Sequence, residues 1–199
     1  MTYKLDRPTI KGIAKAGFKA NYWPSVLVLI IMAAISAVLA IVPVVGGVAS
    51  FILTPVITAG VAFFFLRNYR GEKAEIADMF AGFKNFGHVL GGMLWMELFL
   101  VLWSLLFAIP GIIKALAYSM TPYILIDRPE IGAKEALKLS MQMTKGHKGE
   151  IFVMYLSFIG WGILTSLTCG LVGIFYAFPY MNTTMAGYYE ELKKTNYAA

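Results

Sequence analysis

The pattern of apolar and polar residues divides the chain into six long apolar runs. They cover residues 24–42, 48–66, 88–109, 111–126, 151–168 and 171–187. A helix needs roughly 20 apolar residues to cross the hydrocarbon core of a bilayer, within a range of about 17–25. Each run therefore predicts a transmembrane helix. The fourth run is the shortest, and it fits only with its flanking residues or where the bilayer is thin.

The segments between the runs alternate between two kinds. Three of them are short, uncharged turns: residues 43–47, 110–111 and 169–170. The connections 67–87 and 127–150 are long and charged, and every lysine and arginine of the chain except Lys114 lies in them or in the two terminal segments. The positive-inside rule assigns this charged face to the cytoplasm. We expect three hairpins with both termini cytoplasmic.

An amphipathic stretch precedes each predicted hairpin. In the second stretch, Ile76, Met79, Phe80 and Phe83 recur at helical spacing. In the first and third stretches the lysines share one helical face: Lys11, Lys15, Lys19, Lys134, Lys138 and Lys145. Such helices lie in the membrane interface, where lysines reach anionic lipid headgroups. The six lysines are therefore predicted headgroup ligands. The alternative is a solvated connector helix that caps the bundle.

The unit of one interfacial helix and one hairpin occurs three times. The pseudo-repeats cover about residues 9–70, 73–128 and 131–190 of a single bundle that includes the whole chain, 1–199. Each even-numbered run contains a proline, namely Pro55, Pro122 or Pro179. Internal repeats of membrane proteins often place a binding site at the repeat interface near the bilayer midplane.

Composition supports the membrane class. The chain is 59% hydrophobic and 14% charged, whereas soluble domains are typically about 45–50% apolar and about 25% charged. The formal net charge of +6 is carried by short segments between apolar runs, which favours anionic lipid headgroups over nucleic acid as partners. The one cysteine, Cys169, excludes an internal disulfide.

The third unit resembles a known family. The resemblance is carried by four segments: Glu135-Ala136-Leu137-Lys138-Leu139-Ser140, Lys145-Gly146, Phe158-Ile159-Gly160-Trp161 and Phe178-Pro179-Tyr180. They look like the C-terminal signature of a multi-pass membrane family catalogued as domain of unknown function 975. The resemblance implies a bacterial cytoplasmic-membrane protein, distantly similar to the non-hydrolysing membrane portion of some glycerophosphodiester phosphodiesterases. It implies no activity and no catalytic residues.

Glu97 is the most informative single residue, because it lies near the middle of the third run. A charged carboxylate at that depth costs at least about 2.5–3.5 kcal/mol. One interpretation is a proton- or cation-binding carboxylate that faces a cavity. The other is a neutral acid or buried pair that fixes helix packing. An ion pair with Lys114 is geometrically awkward, because the two residues differ in depth by about 12 Å.

The prolines predict a second group of candidate residues. Each proline frees the carbonyl four residues earlier from helical hydrogen bonding, and polar side chains lie near these carbonyls. If the even-numbered helices face one another, they form a kinked, polar pocket with Glu97 nearby. The predicted ligand-binding residues are Glu97, Tyr118, Thr121, Tyr176, Tyr180 and Asn182. The alternative is ordinary membrane-helix packing, in which such groups are satisfied locally.

The sequence offers little for catalysis or for a cofactor. His147 and Glu150 are three residues apart, but two ligands do not make a metal site. No glycine-rich phosphate loop and no nucleophile elbow is present. We therefore expect a non-enzymatic protein without metal or cofactor, which binds lipid, a hydrophobic small molecule or a membrane partner, including a second copy of itself. The alternative is a small transporter that uses Glu97 as its coupling carboxylate.

Overall fold

The computed structural model of the protein describes residues 5–41, 43–106 and 108–197. Val42, the predicted end of the first run, and Phe107, inside the third, lie outside these residues. The α-helices are α1 Arg7–Ala20, α2 Tyr22–Ile41, α3 Pro43–Tyr69, α4 Phe86–Leu106, α5 Ala108–Tyr118, α6 Thr121–Asp127, α7 Ala133–Met143, α8 Lys148–Leu156, α9 Ile159–Leu167 and α10 Phe178–Tyr197. A 3-10 helix covers Ile76–Asn85, and a π-helical turn covers Gly173–Ala177. No strand occurs in the described part of the chain, which confirms the predicted all-α class.

Five helical stretches are long and apolar enough to cross a membrane. They are Tyr22–Ile41, Gly46–Tyr69, Ile76–Leu105, Ile109–Asp127 and Lys148–Leu167. The sixth predicted run is divided between the π-helical turn and α10. Its continuous apolar stretch ends at Met181, because the polar residues Asn182, Thr183 and Thr184 follow. The sixth span therefore stays a prediction.

The surface of these helices is apolar. Phe51, Leu105 and Leu167 are 62%, 78% and 77% exposed. Many other large apolar side chains are exposed around the bundle as well. Water-soluble monomers rarely expose contiguous apolar patches of this kind. The surface is therefore suited to lipid contact.

The fourth predicted span is broken between α5 and α6. Pro122 lies in the first turn of α6 and has no N–H to continue a helix. The hydroxyl of Ser140 on α7 donates a hydrogen bond to the carbonyl of Ala117 (2.8 Å) and accepts one from the N–H of Met120 (3.3 Å). The hydroxyl of Thr144 also reaches the carbonyl of Ala117, at 3.3 Å. The α7 helix thus satisfies backbone groups that the break leaves open.

The other two prolines have different effects. Pro55 lies inside α3, which continues through it. Pro179 lies in the first turn of α10, directly after the π-helical turn Gly173–Ala177. A π-turn accommodates an extra residue within a helix and often accompanies a lost hydrogen bond. The three predicted kinks therefore correspond to one continuous helix, one break and one widened turn.

The amphipathic segments pack on the bundle, although Phe80 and Phe83 of the second segment are exposed. On α1, Ile10, Ala14 and Phe18 are buried, and the helix contacts α10. The 3-10 helix contacts α3 so closely that a Cβ atom on Gly60 would lie 1.9 Å from the carbonyl oxygen of Met79. The third segment, α7, contacts α4 and α6. All three segments are thus built into the helix assembly.

A buried amide joins α1, α2 and α3 at the end of the bundle that carries most charges, which we call the charged end. Asn68 is fully buried. Its side chain accepts a hydrogen bond from Asn21 (2.7 Å) and donates one to Ser25 (2.9 Å). These bonds fix the junction between α1 and α2 against the end of α3.

The contact at Gly60 yields a first prediction. Gly60→Ala forces the 3-10 helix away from α3, and we expect a loss of about 1–3 kcal/mol of stability from this overpacking. The matched control is Gly91→Ala in α4, where a Cβ would meet no atom within 4 Å. That change should be neutral or stabilise by up to about 1 kcal/mol, because alanine favours helix. Thermal unfolding in detergent, followed by circular dichroism, compares the two. Equal melting temperatures would contradict the close contact.

Candidate functional site

The carboxylate of Asp127 is the centre of an ion-pair network at the charged end. It accepts hydrogen bonds from Arg70 (2.8 Å), Tyr189 (2.8 Å) and Lys193 (2.6 Å). Arg70 also donates to Glu190 at 2.7 Å. We call these five residues the Asp127 cluster. Arg70 directly follows α3, Asp127 ends α6, and the other three residues lie on α10, so the cluster joins three helices.

The charges of the cluster balance. Burial alone would lower the pKa of Arg70, but its hydrogen bonds and proximity to Asp127 and Glu190 raise the pKa above the ordinary value. Burial, together with the neighbouring carboxylate of Asp127, raises the pKa of Tyr189. Tyr189 is therefore a neutral hydrogen-bond donor. Two cations and two carboxylates remain, and the cluster is neutral overall.

An aromatic pair connects the cluster to the interior of the bundle. The rings of Tyr123 on α6 and Tyr189 on α10 are stacked, with centroids 5.4 Å apart and planes inclined by 16°. Tyr189 belongs to the Asp127 cluster, and Tyr123 lines a large cavity. The Tyr123–Tyr189 pair therefore lies between this cavity and the Asp127 cluster.

The central cavity has a volume of about 530 Å³. Small-molecule sites in proteins typically measure about 300–1,000 Å³. The lining residues come from α2, α3, α6, α8, α10, the π-helical turn and the α5–α6 break: Leu29, Met32, Ala33, Ser36, Thr58, Val61, Ala62, Ser119, Pro122, Tyr123, Tyr155, Ile174, Phe178, Met181, Asn182 and Met185. The cavity thus lies between helices of the bundle, beside the α5–α6 break, and its volume is in the range of small-molecule sites.

The lining is uncharged and mostly apolar. Ser36, Ser119 and Asn182 each donate a hydrogen bond to a carbonyl of their own chain segment, those of Met32, Leu116 and Phe178 respectively. Their remaining polar atoms can still bind a ligand. Within the described residues, the Tyr123 hydroxyl makes no hydrogen bond. Three methionines, which are flexible and polarizable, line the wall and can adapt to an irregular apolar ligand.

The cavity opens at the surface of the bundle. Tyr155 and Phe178 are 37% and 42% exposed, and both line the cavity. Ala33 and Ser36 on α2 are exposed as well. Ala33, Ser36 and Tyr155 belong to helical stretches that are apolar and of membrane length. The opening therefore faces the apolar surface of the bundle rather than the charged end.

The structure distributes the predicted ligand-binding residues over different places. Only Asn182 lines the central cavity. Tyr118 lines a separate groove. Thr121 is fully buried, and its hydroxyl has no hydrogen-bond partner in the described structure. Tyr176 contacts Trp161 and Phe18, and Tyr180 contacts Phe158. These two tyrosines are the predicted residues that the structure brings together, with ring centroids 5.9 Å apart.

Glu97 stands apart from the cavity. It lies half-buried on α4, and none of the described residues forms a hydrogen bond or an ion pair with it. The side chain of Lys114 instead lies over the rings of Trp103 (4.7 Å) and Tyr118 (5.8 Å). The structure thus does not form the Glu97–Lys114 pair.

Sequence reasoning missed most of the cavity. Tyr123 and Ser119 lie close to Pro122 in sequence, so the predicted kink indicated their neighbourhood. The sequence did not mark the part of the cavity wall that α2 forms, because Leu29, Met32 and Ala33 are ordinary residues of an apolar run. Which face of such a helix turns inward depends on its neighbours, and periodicity does not show it when every face is apolar.

The six predicted headgroup lysines also differ in their surroundings. Lys11 donates a hydrogen bond to Ser157 (2.6 Å) and lies over the ring of Phe158 (4.7 Å). Burial, followed by the charge of Arg7, lowers the pKa of Lys11. Lys134 lies 5.1 Å from the ring centre of Trp95. Lys134 is exposed, and so are the other four: Lys15, Lys19, Lys138 and Lys145.

Acidic and histidine side chains do not converge on a metal-sized site. Among the residues that the structure describes, no group of three or more His, Cys, Asp or Glu could hold a metal ion. His147 and Glu150 form a pair at 2.9 Å, and Glu150 also accepts a hydrogen bond from the N–H of Leu5. These contacts attach the start of the chain to the start of α8.

Comparison with known proteins gives one family. A family model described as "Protein of unknown function (DUF975)" matches residues 1–117 and 105–196. The two matches together include almost the whole chain. No curated protein matches the sequence. No solved structure matches it either.

The Asp127 cluster yields a second prediction. Asp127→Asn leaves Lys193 without its carboxylate and Arg70 with Glu190 alone. We expect a loss of about 2–4 kcal/mol, toward the lower end of the range for buried pairs, because Arg70 and Lys193 are 24% and 28% exposed. The matched control is Glu130→Gln, an exposed acid three residues further on. Unfolding in a mixed-micelle denaturant titration measures both. The cluster would be unimportant if the two variants unfolded alike.

Proposed function

The chain belongs to the DUF975 family of proteins of unknown function, and from this premise we propose that it is a non-enzymatic polytopic membrane protein that binds a neutral hydrophobic molecule. The observation that carries the proposal is the uncharged cavity of about 530 Å³ between its helices. A lipid chain or a hydrophobic small molecule of drug size fits this volume. The family description adds no activity, so the chemistry of the cavity alone defines the ligand class.

We also propose the topology in which this cavity operates. Six spans form three hairpins in a bacterial cytoplasmic membrane, and the charged end with both termini is cytoplasmic. The distribution of lysine and arginine supports this orientation through the positive-inside rule. In this arrangement Leu29 lies seven residues, about 10 Å, from the start of α2. The cavity is then near the bilayer midplane, and its opening faces lipid.

The lining defines the ligand further. A charged ligand would enter a wall that offers no countercharge, which is costly in a low-dielectric interior. An apolar body with one or two polar atoms suits the wall, because Tyr123, Asn182 and Ser119 can hydrogen-bond to it. The ligand enters from the membrane, since the Tyr123–Tyr189 pair closes the side toward the charged end.

The alternative function is a small transporter with Glu97 as a proton- or cation-coupled carboxylate. The observation in its favour is that Glu97 has no partner in the described structure, although it lies in an apolar stretch of membrane length. Glu97 does not line the central cavity. A coupled mechanism would therefore need Glu97 to act on a different site or through a change in helix arrangement.

The cavity yields a third prediction. Ala33→Trp places a large side chain in the cavity and should remove its ligand. Ala34→Trp changes the next residue of α2, which is exposed and does not line the cavity. Native mass spectrometry of protein released from lipid nanodiscs compares the two variants with the wild type. We expect a retained species of defined mass in the wild type and in Ala34→Trp. In Ala33→Trp its occupancy should fall roughly tenfold, which corresponds to about 1.4 kcal/mol. A bare wild-type protein, or equal loss in both variants, contradicts the proposal.

A fourth prediction separates the two functions. Glu97→Gln removes the carboxylate's charge with little change in size and should leave the retained species unchanged, because Glu97 lies outside the cavity. The same mass measurement on this variant provides the test. Loss of the species in Glu97→Gln, with unchanged thermal stability, would instead favour the transporter.

A further inference from the structure

A second, smaller groove lies between α4, α5 and α7. Its volume is about 280 Å³, and it is lined by Trp95, Phe99, Tyr118, Lys134, Leu137, Lys138 and Met141. None of these residues lines the central cavity. The groove combines three aromatic rings and two apolar side chains with two lysines of one helix. It is therefore amphipathic, whereas the central cavity is uncharged.

Among the described residues, the two lysines have no acidic partner. Lys134 lies over the Trp95 ring at 5.1 Å. Lys138 forms no hydrogen bond or ion pair with any described residue and is exposed. The neighbouring carboxylate of Glu135 accepts a hydrogen bond from the N–H of Gly132 at 3.1 Å instead of pairing with either lysine. Both ammonium groups therefore lack a countercharge in the part of the chain that the structure describes.

The position of α7 makes this lack important. The α7 helix holds Lys134 beside Trp95 because Ser140, on the same helix, is anchored to the α5–α6 break. The two lysines thus share a groove with aromatic residues of α4, and α4 belongs to an apolar stretch of membrane length. An anion that carries an apolar body of its own suits this combination.

We propose that the groove binds one anionic phospholipid of the surrounding leaflet. Its phosphate group lies between the ammonium groups of Lys134 and Lys138, and an acyl chain lies along Trp95, Phe99 and Met141. The two lysines favour an anionic headgroup, because their charges are complementary to it. The aromatic wall favours a lipid over a water-soluble phosphate. The site does not depend on the ligand of the central cavity.

The surroundings of the other lysines separate this site from general attraction to headgroups. Lys15 and Lys19 are exposed on α1 and line neither this groove nor the central cavity. Lys11 is occupied by Ser157 and Phe158. Lys145 is exposed beyond the end of α7. Of the six predicted headgroup lysines, all of which the structure describes, Lys134 and Lys138 are the two that line this aromatic groove.

Brominated phospholipids test the proposal, because bromine quenches tryptophan only at short range. Nanodiscs contain the full chain and equal fractions of brominated phosphatidylglycerol or brominated phosphatidylcholine. The chain has four tryptophans, so the signal of Trp95 is the difference between the wild type and Trp95→Phe. We expect stronger quenching of Trp95 by the anionic lipid. Lys134→Gln/Lys138→Gln should reduce that preference about 5- to 25-fold, and Lys134→Arg/Lys138→Arg should retain it.

The matched control is Lys15→Gln/Lys19→Gln, which removes the same charge from exposed positions outside the groove. This variant should keep the preference of Trp95 for the anionic lipid. Equal quenching by the two lipids in the wild type would overturn the proposal, as would an equal loss in the two glutamine variants. Circular dichroism melting of each variant shows that the fold is retained. Because the arginine variant keeps both charges, its failure to bind would also count against the site.

Discussion

The arrangement of α3, α6 and α10 depends on the hydrogen bonds that the carboxylate of Asp127 accepts. This carboxylate accepts three hydrogen bonds from Arg70, Tyr189 and Lys193. A partly buried carboxylate without these donors would be costly, and so would the cations without it. The three helices are thus fixed in register at the charged end. That register brings Tyr123 onto Tyr189, and this contact closes one side of the central cavity.

A second constraint explains why the amphipathic segments are built into the bundle. In lipid, every backbone polar group needs a partner from the protein, and helix breaks are tolerated only where one is supplied. The break after Tyr118 has such a partner, because Ser140 and Thr144 bond the carbonyl of Ala117. The α7 helix therefore stabilises the α5–α6 break as well as covering the surface. Its position follows from the backbone groups of Ala117 and Met120 that the α5–α6 break leaves open.

The sequence was sufficient to predict an all-helical chain with long apolar runs, because run length and charge placement are local properties. It did not predict that the fifth run is divided between α8 and α9 at Ser157, because no proline occurs there. The sequence did not predict the cavity either. The faces of α2 and α10 that turn inward depend on packing between helices that are far apart in sequence. Glu97 is conspicuous in sequence because it is a charge in an apolar run, but its distance from the cavity is a tertiary property. The opposite holds for Tyr123, an inconspicuous residue that joins the cavity to the Asp127 cluster.

The α5–α6 break connects the two proposed binding sites. Tyr118 lines the groove between α4 and α7, while the next residue, Ser119, lines the central cavity. The α7 helix carries both Met141, which lines the groove, and Ser140, which bonds the backbone of the break. A ligand shifts a conformational equilibrium only as far as its affinities for the two states differ. A lipid in the groove can therefore influence the cavity only by favouring one geometry of this break. Such coupling would depend on the hydrogen bonds between Ser140 and the backbone of the break. If a Ser140→Ala variant still binds both ligands, we expect that binding of one no longer changes the affinity for the other.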